Sequence, residues 1–403
     1  APAGFRTAPE ASGVRVEKAT VTGFGYGIQI VDRAEASLAD VTVAGNERHG
    51  LLVRDGATVP VDGLDARENG GNGVRLDGAA GLSRLTAVTA TDNLGTAGIA
   101  IVNARAVLAD SRAADNAGHG LMATKGAKVV ATASSFCGNT RYGVRVEASG
   151  LDISDSELSD NGQRGLQLSA EAQGTIWDNQ VKNNGVDGLS VCDLAPGVVC
   201  HGQGIAMADR STAVITANRI TGNGNNGIFI GSGGVAELTG NTVDQNMYHG
   251  VEAQGQGTVV TFHDHNTVTR SGPDPALTVA ARIGASGIGA YLGAAVKIVG
   301  AGNQADGNDA NGVTASGTST VTITAPFEAS SNGKSGLAAY ERAAIRATAP
   351  VTADGNARSG LYAASKRPDA ARISYCGLTG AGNAPNDSLA TGTGVIRLLK
   401  KCG

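Results

Sequence analysis

Asn218-Arg219-Ile220-Thr221-Gly222-Asn223-Gly224-Asn225-Asn226-Gly227-Ile228-Phe229-Ile230 is the stretch that decides the fold. It holds a strand-like fragment, an Asn/Gly turn, and a glycine that leads an apolar–x–apolar triplet. Alternation of apolar residues marks a strand with one buried face. The same glycine-led triplet returns on both sides. It reads Gly27-Ile28-Gln29-Ile30, Gly50-Leu51-Leu52-Val53, Gly73-Val74-Arg75-Leu76 and Gly143-Val144-Arg145-Val146 upstream, and recurs at Gly250, Gly287, Gly312, Gly336 and Gly360 downstream. Twelve of the fourteen intervals between the fifteen such glycines are 22 to 25 residues, and a fixed period of this size means a solenoid.

The unit is too short for a pair of helices. Its apolar positions are Val, Ile, Ala and Leu in alternation with Thr, as in Thr212-Ala213-Val214-Ile215-Thr216. That composition favours short strands over helix. Asparagine stands four residues before the repeat glycine in eleven of the fifteen units, among them Asn46, Asn69, Asn116, Asn139, Asn161, Asn184, Asn223 and Asn246. A partial second series is Asn179, Asn218, Asn241 and Asn266. Stacked in register, these amides are expected to bond to one another inside a turn. The repeat glycine is expected to let the backbone bend with φ above zero.

The string from Asn218 to Ile230 resembles the repeat of the pectin-lyase-like superfamily. The resemblance covers nearly the whole chain. It implies an all-β fold, a right-handed parallel β-helix solenoid of about 15 rungs with a C-terminal cap. The expected division is a β-helix over 1–375 and a capping segment over 376–403. The superfamily includes lyases, hydrolases, epimerases, tailspikes and non-catalytic surface proteins, so it does not choose a function.

Net charge is −4, with acids and bases interspersed, and aromatic residues are only 3% of the 403. The core must therefore be aliphatic. No basic stripe or aromatic interleaving points to nucleic acid, and no apolar run approaches the roughly 20 residues of a membrane helix. Of the five cysteines, Cys192 with Cys200 and Cys376 with Cys402 are expected to form disulfides, and Cys137 to remain a buried thiol. Such pairing favours an exported bacterial protein: secreted, periplasmic or on the cell surface. The tetrad Gly13-Val14-Arg15-Val16 begins almost at once, with no amphipathic helix before it. An uncovered first rung suggests a piece of a longer protein, or end-to-end or oligomeric assembly through that rung.

Between the two inward residues of each triplet, one residue points out. On that outward face Tyr142, Arg145, Glu147, Arg164, Gln167 and Asp187 fall on successive units. They offer an aromatic surface for a sugar ring, arginines for carboxylates and acids for proton transfer. A second group is Asn226, Phe229, His249 and Glu252. Gly118-His119-Gly120 matches one polygalacturonase motif in letters. However, His119 shares its repeat position with His49 and His249, and no Asp-Asp pair occurs in the chain, so it reads as a repeat residue. His263 and His265 would share a face if they lay on a strand, and would be candidate zinc or copper ligands.

These features lead first to a non-catalytic extracellular β-helix that binds glycan or protein or serves as a stalk. The alternatives are a polysaccharide lyase or hydrolase acting on the outer face, and a periplasmic metal-handling protein. No cofactor is implied.

Overall fold

The computed structural model describes residues 2–186, 202–272, 284–366, 368–383 and 386–399. The fold is an all-β solenoid of parallel strands, and no helix occurs among the described residues. The chain divides into two compact units, Ala1–Asp187 and Gly188–Gly403.

In the first unit each turn of chain places one strand in a first sheet and one or two in a second. The turn beginning at His119–Thr124 continues through Lys128–Thr132 and Ser135–Cys137. The next turn lays Val144–Glu147, Gly150–Ser154 and Glu157–Ser159 directly upon them, all in parallel. Eight strands of the first sheet, from Ala3–Arg6 to Leu166–Ser169, belong to this unit. The second unit repeats the plan with eight, from Ile205–Met207 to Asn386–Gly392. Two strands within the segment expected to cap the solenoid pair in the same manner. Asn386–Gly392 lies on Ser359–Ser365 and Val395–Leu398 lies on Arg372–Thr379.

The apolar residues of each triplet fill the core. Ile28, Ile30, Leu51, Val53, Ile228 and Ile230 have no exposed surface. Each such aliphatic side chain contributes about 1.5–3 kcal/mol relative to exposure. Phe136 and Phe262 are the two largest fully buried side chains.

The asparagine ladder is present in both units. In the first, each Nδ2 donates to the next Oδ1 from Asn46 through Asn69, Asn93, Asn116, Asn139 and Asn161 to Asn184, at 2.9–3.0 Å. Asn93 lies five residues before its glycine, so fixed-offset counting passes over it; a one-residue longer turn absorbs the difference. In the second unit the links Asn308–Asn332, Asn332–Asn356 and Asn356–Asn383 measure 3.0–3.1 Å. The second series runs Asn218–Asn241–Asn266–Asn303. A serine series precedes Asn179: Ser111 and Ser134 each donate a backbone N–H to the next serine's Oγ, and Ser156 donates to Asn179 Oδ1.

The expected reason for the repeat glycine is corrected. Left-handed backbone belongs to the residue before the ladder asparagine, such as Glu68 (φ 54°), Asp92 (56°) and Asp115 (57°). The glycine is there for lack of room. A Cβ at Gly50 would lie 2.7 Å from the Gly73 carbonyl oxygen and 2.9 Å from Asn69 Nδ2. The ladder amide and the next rung's backbone occupy the space a side chain would take.

Cys137 is free, as expected, but only half-buried. It stands at an outward position of the Ser135–Cys137 strand, where Arg112 Nη1 donates to its Sγ at 2.9 Å. Cys192, Cys200 and Cys402 lie outside the described residues, as does Asp187; Cys376 lies on the Arg372–Thr379 strand.

Candidate functional site

In the first unit, strand register places Arg145, Glu147 and Gln167 of the expected residues on one outward face. Arg145 faces Gln167 across one rung, and Glu147 faces Ser169. Arg145 pairs with Glu147 at 3.2 Å. Arg164 donates to Gln167 Oε1 at 2.8 Å, and its guanidinium lies 5.6 Å from the centre of the Tyr142 ring. Burial, followed by the nearby Arg145 charge, lowers the Arg164 pKa, while Tyr142 acts the other way. The pair Arg75–Asp77 repeats the Arg145–Glu147 arrangement at 2.6 Å. Two residues apart on one strand, such partners meet wherever the face carries them.

The histidine of the Gly-His-Gly string belongs to the scaffold. His119 Nδ1 accepts the Tyr142 backbone N–H at 3.3 Å. His49 Nδ1 accepts from Asn72 N–H, and His249 Nδ1 accepts from Ser286 N–H, at 3.0 and 2.9 Å. Asparagine does the same work at this position: Asn72 Oδ1 accepts from Ala97, and Asn226 Oδ1 from His249. These histidines are rungs of a second ladder. Burial pushes their pKa values down, to about 4 for His49, about 3 for His119 and about 4 for His249. With Nδ1 accepting, each neutral ring carries its proton on Nε2.

The second unit holds a cleft of about 420 Å³ whose lining includes Tyr248, His249, Glu252, Gln254, Tyr291 and Glu341. Its geometry follows from register. Phe229, Glu252 and Gly289 stand in one outward row, and Gly231, Gln254 and Tyr291 in the next. Each aromatic ring leans over a glycine in the other row. A Cβ on Gly231 would lie 2.8 Å from Phe229 Cζ, and one on Gly289 would lie 2.5 Å from Tyr291 Cε2. Glu252 therefore stands on the rung between two rings, with 8% of its surface exposed. Asn226 Nδ2 donates to Glu252 Oε2 at 2.7 Å. The His249 ring packs between Tyr248 and Tyr291, with centroids at 4.1 and 5.3 Å.

This surrounding changes the chemistry of the carboxyl group. Burial raises the Glu252 pKa to about 7, against the opposing effect of the Asn226 hydrogen bond. Burial and then the Glu252 charge raise the Tyr248 pKa, and the same two causes lead for Tyr291. The cleft thus holds a carboxylic acid that changes state near neutrality, a neutral imidazole and two phenols.

Residues 4–154 and 67–201 match a family described as "Right handed beta helix region". With the stacked parallel rungs, that decides the architecture. The chain is a right-handed parallel β-helix. Residues 137–270 of this β-helix also match a family described as "Periplasmic copper-binding protein (NosD)". No curated protein matches. Among solved structures, it is similar to the Azotobacter vinelandii mannuronan C-5 epimerase AlgE4 A-module, at 17% identity over 93% of this chain and 90% of that one, with a TM-score of 0.48. The Dettilon tailspike protein is 12% identical over 92% of this chain and 62% of that one, with a TM-score of 0.44. The catalytic unit of a GH87 alpha-1,3-glucanase from Streptomyces thermodiastaticus is 15% identical over 91% and 64%, with a TM-score of 0.41.

The metal expectation meets a different geometry in this β-helix. His263 follows the Val259–Phe262 strand, and His265 sits in the next turn with φ 59°, so the two do not share a strand face. His263 Nε2 lies 3.8 Å from Glu237 Oε2. The His265 ring packs on Gly302, leaving 2.4 Å between its Nδ1 and a Cβ there. Among the described residues, no group of three or more His, Cys, Asp or Glu is placed to hold a metal ion. Nor is any helix among them long and apolar enough to cross a membrane.

Of the group Asn226, Phe229, His249 and Glu252 marked by sequence, His249 and Glu252 line the cleft, Asn226 bonds to Glu252, and Phe229 stands beside Glu252 on the preceding rung. Sequence reading missed Tyr248 and Tyr291. The 37-residue interval from Gly250 to Gly287 hides the register of Tyr291. The available signal was Ile288-Gly289-Ala290-Tyr291, where glycine occupies the row of Phe229 and Glu252.

Proposed function

We propose that this β-helix is an exported protein that binds a polysaccharide chain along the outward face of the first sheet in its second unit. The observation that carries the reading is the cleft at Glu252, continued by Tyr340 on a later rung. Tyr340 lies on the Ser335–Tyr340 strand, and its ring is 5.7 Å from that of Tyr362 on the Ser359–Ser365 strand. Tyr248, Tyr291 and Tyr340 are three of only seven tyrosines in the chain. Stacked apolar faces with polar edges suit sugar rings, which present C–H groups on a face and hydroxyls around the rim.

Affinity electrophoresis through gels containing neutral, acidic and amino polysaccharides tests this, with release of new reducing ends followed in parallel. We expect at least one polysaccharide to retard the protein, and Tyr248→Ala and Tyr340→Ala each to weaken retardation several-fold. No retardation by any polysaccharide would overturn the reading. Chain cleavage abolished by Glu252→Gln would replace it with an enzymatic one.

A further inference from the structure

Resting on that polysaccharide reading, we infer that the cleft is selective for a cationic group, the ammonium of an amino sugar within the bound chain. The lining supplies two carboxyl groups, Glu252 and Glu341, with the π-faces of Tyr248 and Tyr291 beside them. Cations are attracted to such faces, and aromatic cages hold quaternary ammonium groups this way. Among the described residues, no arginine or lysine lines the cleft. Near the cleft, the basic groups among the described residues are not in its lining. Arg358 lies over the Tyr362 ring at 3.8 Å, and Arg342 stands 3.9 Å from Asp369. Lys334 Nζ stands at the rim, 2.8 Å from where a Cβ on the lining residue Gly284 would lie, at the end of the Ser335–Tyr340 strand opposite Glu341.

Glu252 provides the second part of the argument. Asn226 bonds one of its oxygens, and aromatic rings occupy the rungs on either side. Ionising a carboxyl group in such a place is costly without a cation beside it. A bound ammonium supplies that missing partner, so binding and loss of the Glu252 proton favour each other. The groups around Glu252 are Asn226, Phe229, Tyr248, His249 and Tyr291. Of these the imidazole is neutral above about pH 4 and the phenols are held above their ordinary range, so the carboxyl group is the one that changes charge near neutrality. A uronate would instead bring a third carboxylate to the two already present.

The probe is an oligomer of N,N,N-trimethylglucosamine, whose charge does not change with pH. It is compared by calorimetry with the N-acetylglucosamine oligomer, an oligouronate and free choline, using the full chain at pH 6 and pH 8. We expect the quaternary oligomer to bind at least tenfold more tightly than the N-acetylated one at pH 8. Its advantage should shrink at pH 6, and proton release should appear in buffers of different ionisation enthalpy. Glu252→Gln, checked for an unchanged fold by its melting curve, should remove both the preference and the pH dependence.

Equal binding of quaternary and N-acetylated oligomers would overturn the inference and leave polysaccharide binding standing. A preference that survives in Glu252→Gln would also overturn it. Binding of choline without any oligomer would support the cationic site while overturning the polysaccharide reading. Failure of all four probes would overturn the inference.

Discussion

Glu252 shows how much one position depends on its neighbours. On an ordinary solvated face it would be an ionised carboxylate, and nothing in the tetrad around it marks it as different. The difference comes from Phe229 one rung before and from Tyr291, folded over Gly289, one rung after. A carboxyl group whose pKa is raised on folding contributes stability that is complete below its unfolded value and is lost as pH rises through the folded one. For Glu252 that loss runs from about 4.5 to about 7. Glu252→Gln keeps an oxygen to accept from Asn226 and removes the ionisation. It should therefore stabilise the protein at pH 8 by up to about 3 kcal/mol and have little effect at pH 5. Urea denaturation of the second unit, followed at both pH values, measures this; equal effects at the two would show that Glu252 is not buried as described.

At the scale of the element, the turns are organised by side-chain amides. Asn139 accepts from both the backbone N–H and the Nδ2 of Asn116, and donates to Asn161 Oδ1 and the Ala113 carbonyl. Removing it leaves buried donors and acceptors on both neighbouring rungs. Each orphaned group costs about 1–3 kcal/mol. Asn139→Ala should thus lower stability by about 3 kcal/mol, and Asn46→Ala, at the ladder's first link, by less. Urea midpoints of the two variants provide the comparison, and equal losses would argue against a ladder whose interior links are supported from both sides. The period and most of these asparagines were legible directly, because each rung needs the same amide in the same place. The reason for the repeat glycine was not, since a close approach to Asn69 Nδ2 involves a residue 19 positions away from Gly50.

At the scale of the whole molecule, histidine and Glu252 set opposite limits on the pH range of stability. His49, His119 and His249 accept backbone N–H groups at Nδ1 and are held neutral. Their depressed pKa values mean that their contribution is complete above about 6.5 and is lost as pH falls toward about 3–4. Melting temperature should peak between about pH 5 and 7, with Glu252 opposing on the alkaline side. Replacement of His119 by asparagine keeps an acceptor of the kind that Asn72 already provides, and should move the acid limb to lower pH. A melting series from pH 3 to 9 reads both effects; an unshifted acid limb would remove His119 from the account.

The repeat was enough to establish the solenoid, the asparagine series and the two faces of each strand, and its resemblance to the pectin-lyase-like repeat implied parallel strands. The first three follow from local periodicity, because every rung solves the same packing problem with residues at nearly fixed offsets. The same periodicity marked Tyr142, Arg145, Glu147, Arg164, Gln167 and Asp187 as one face; Arg145 meets Glu147, and Arg164 meets Gln167 and the Tyr142 ring, while Asp187 lies outside the described residues. Periodicity could not reveal the cleft in the second unit. That site depends on where the 37-residue interval restores register, and on rings leaning over glycines in an adjacent row. Burial, which turns an outward glutamate into a neutral acid near pH 7, is a property of the three-dimensional neighbourhood, and only the tertiary structure decides it.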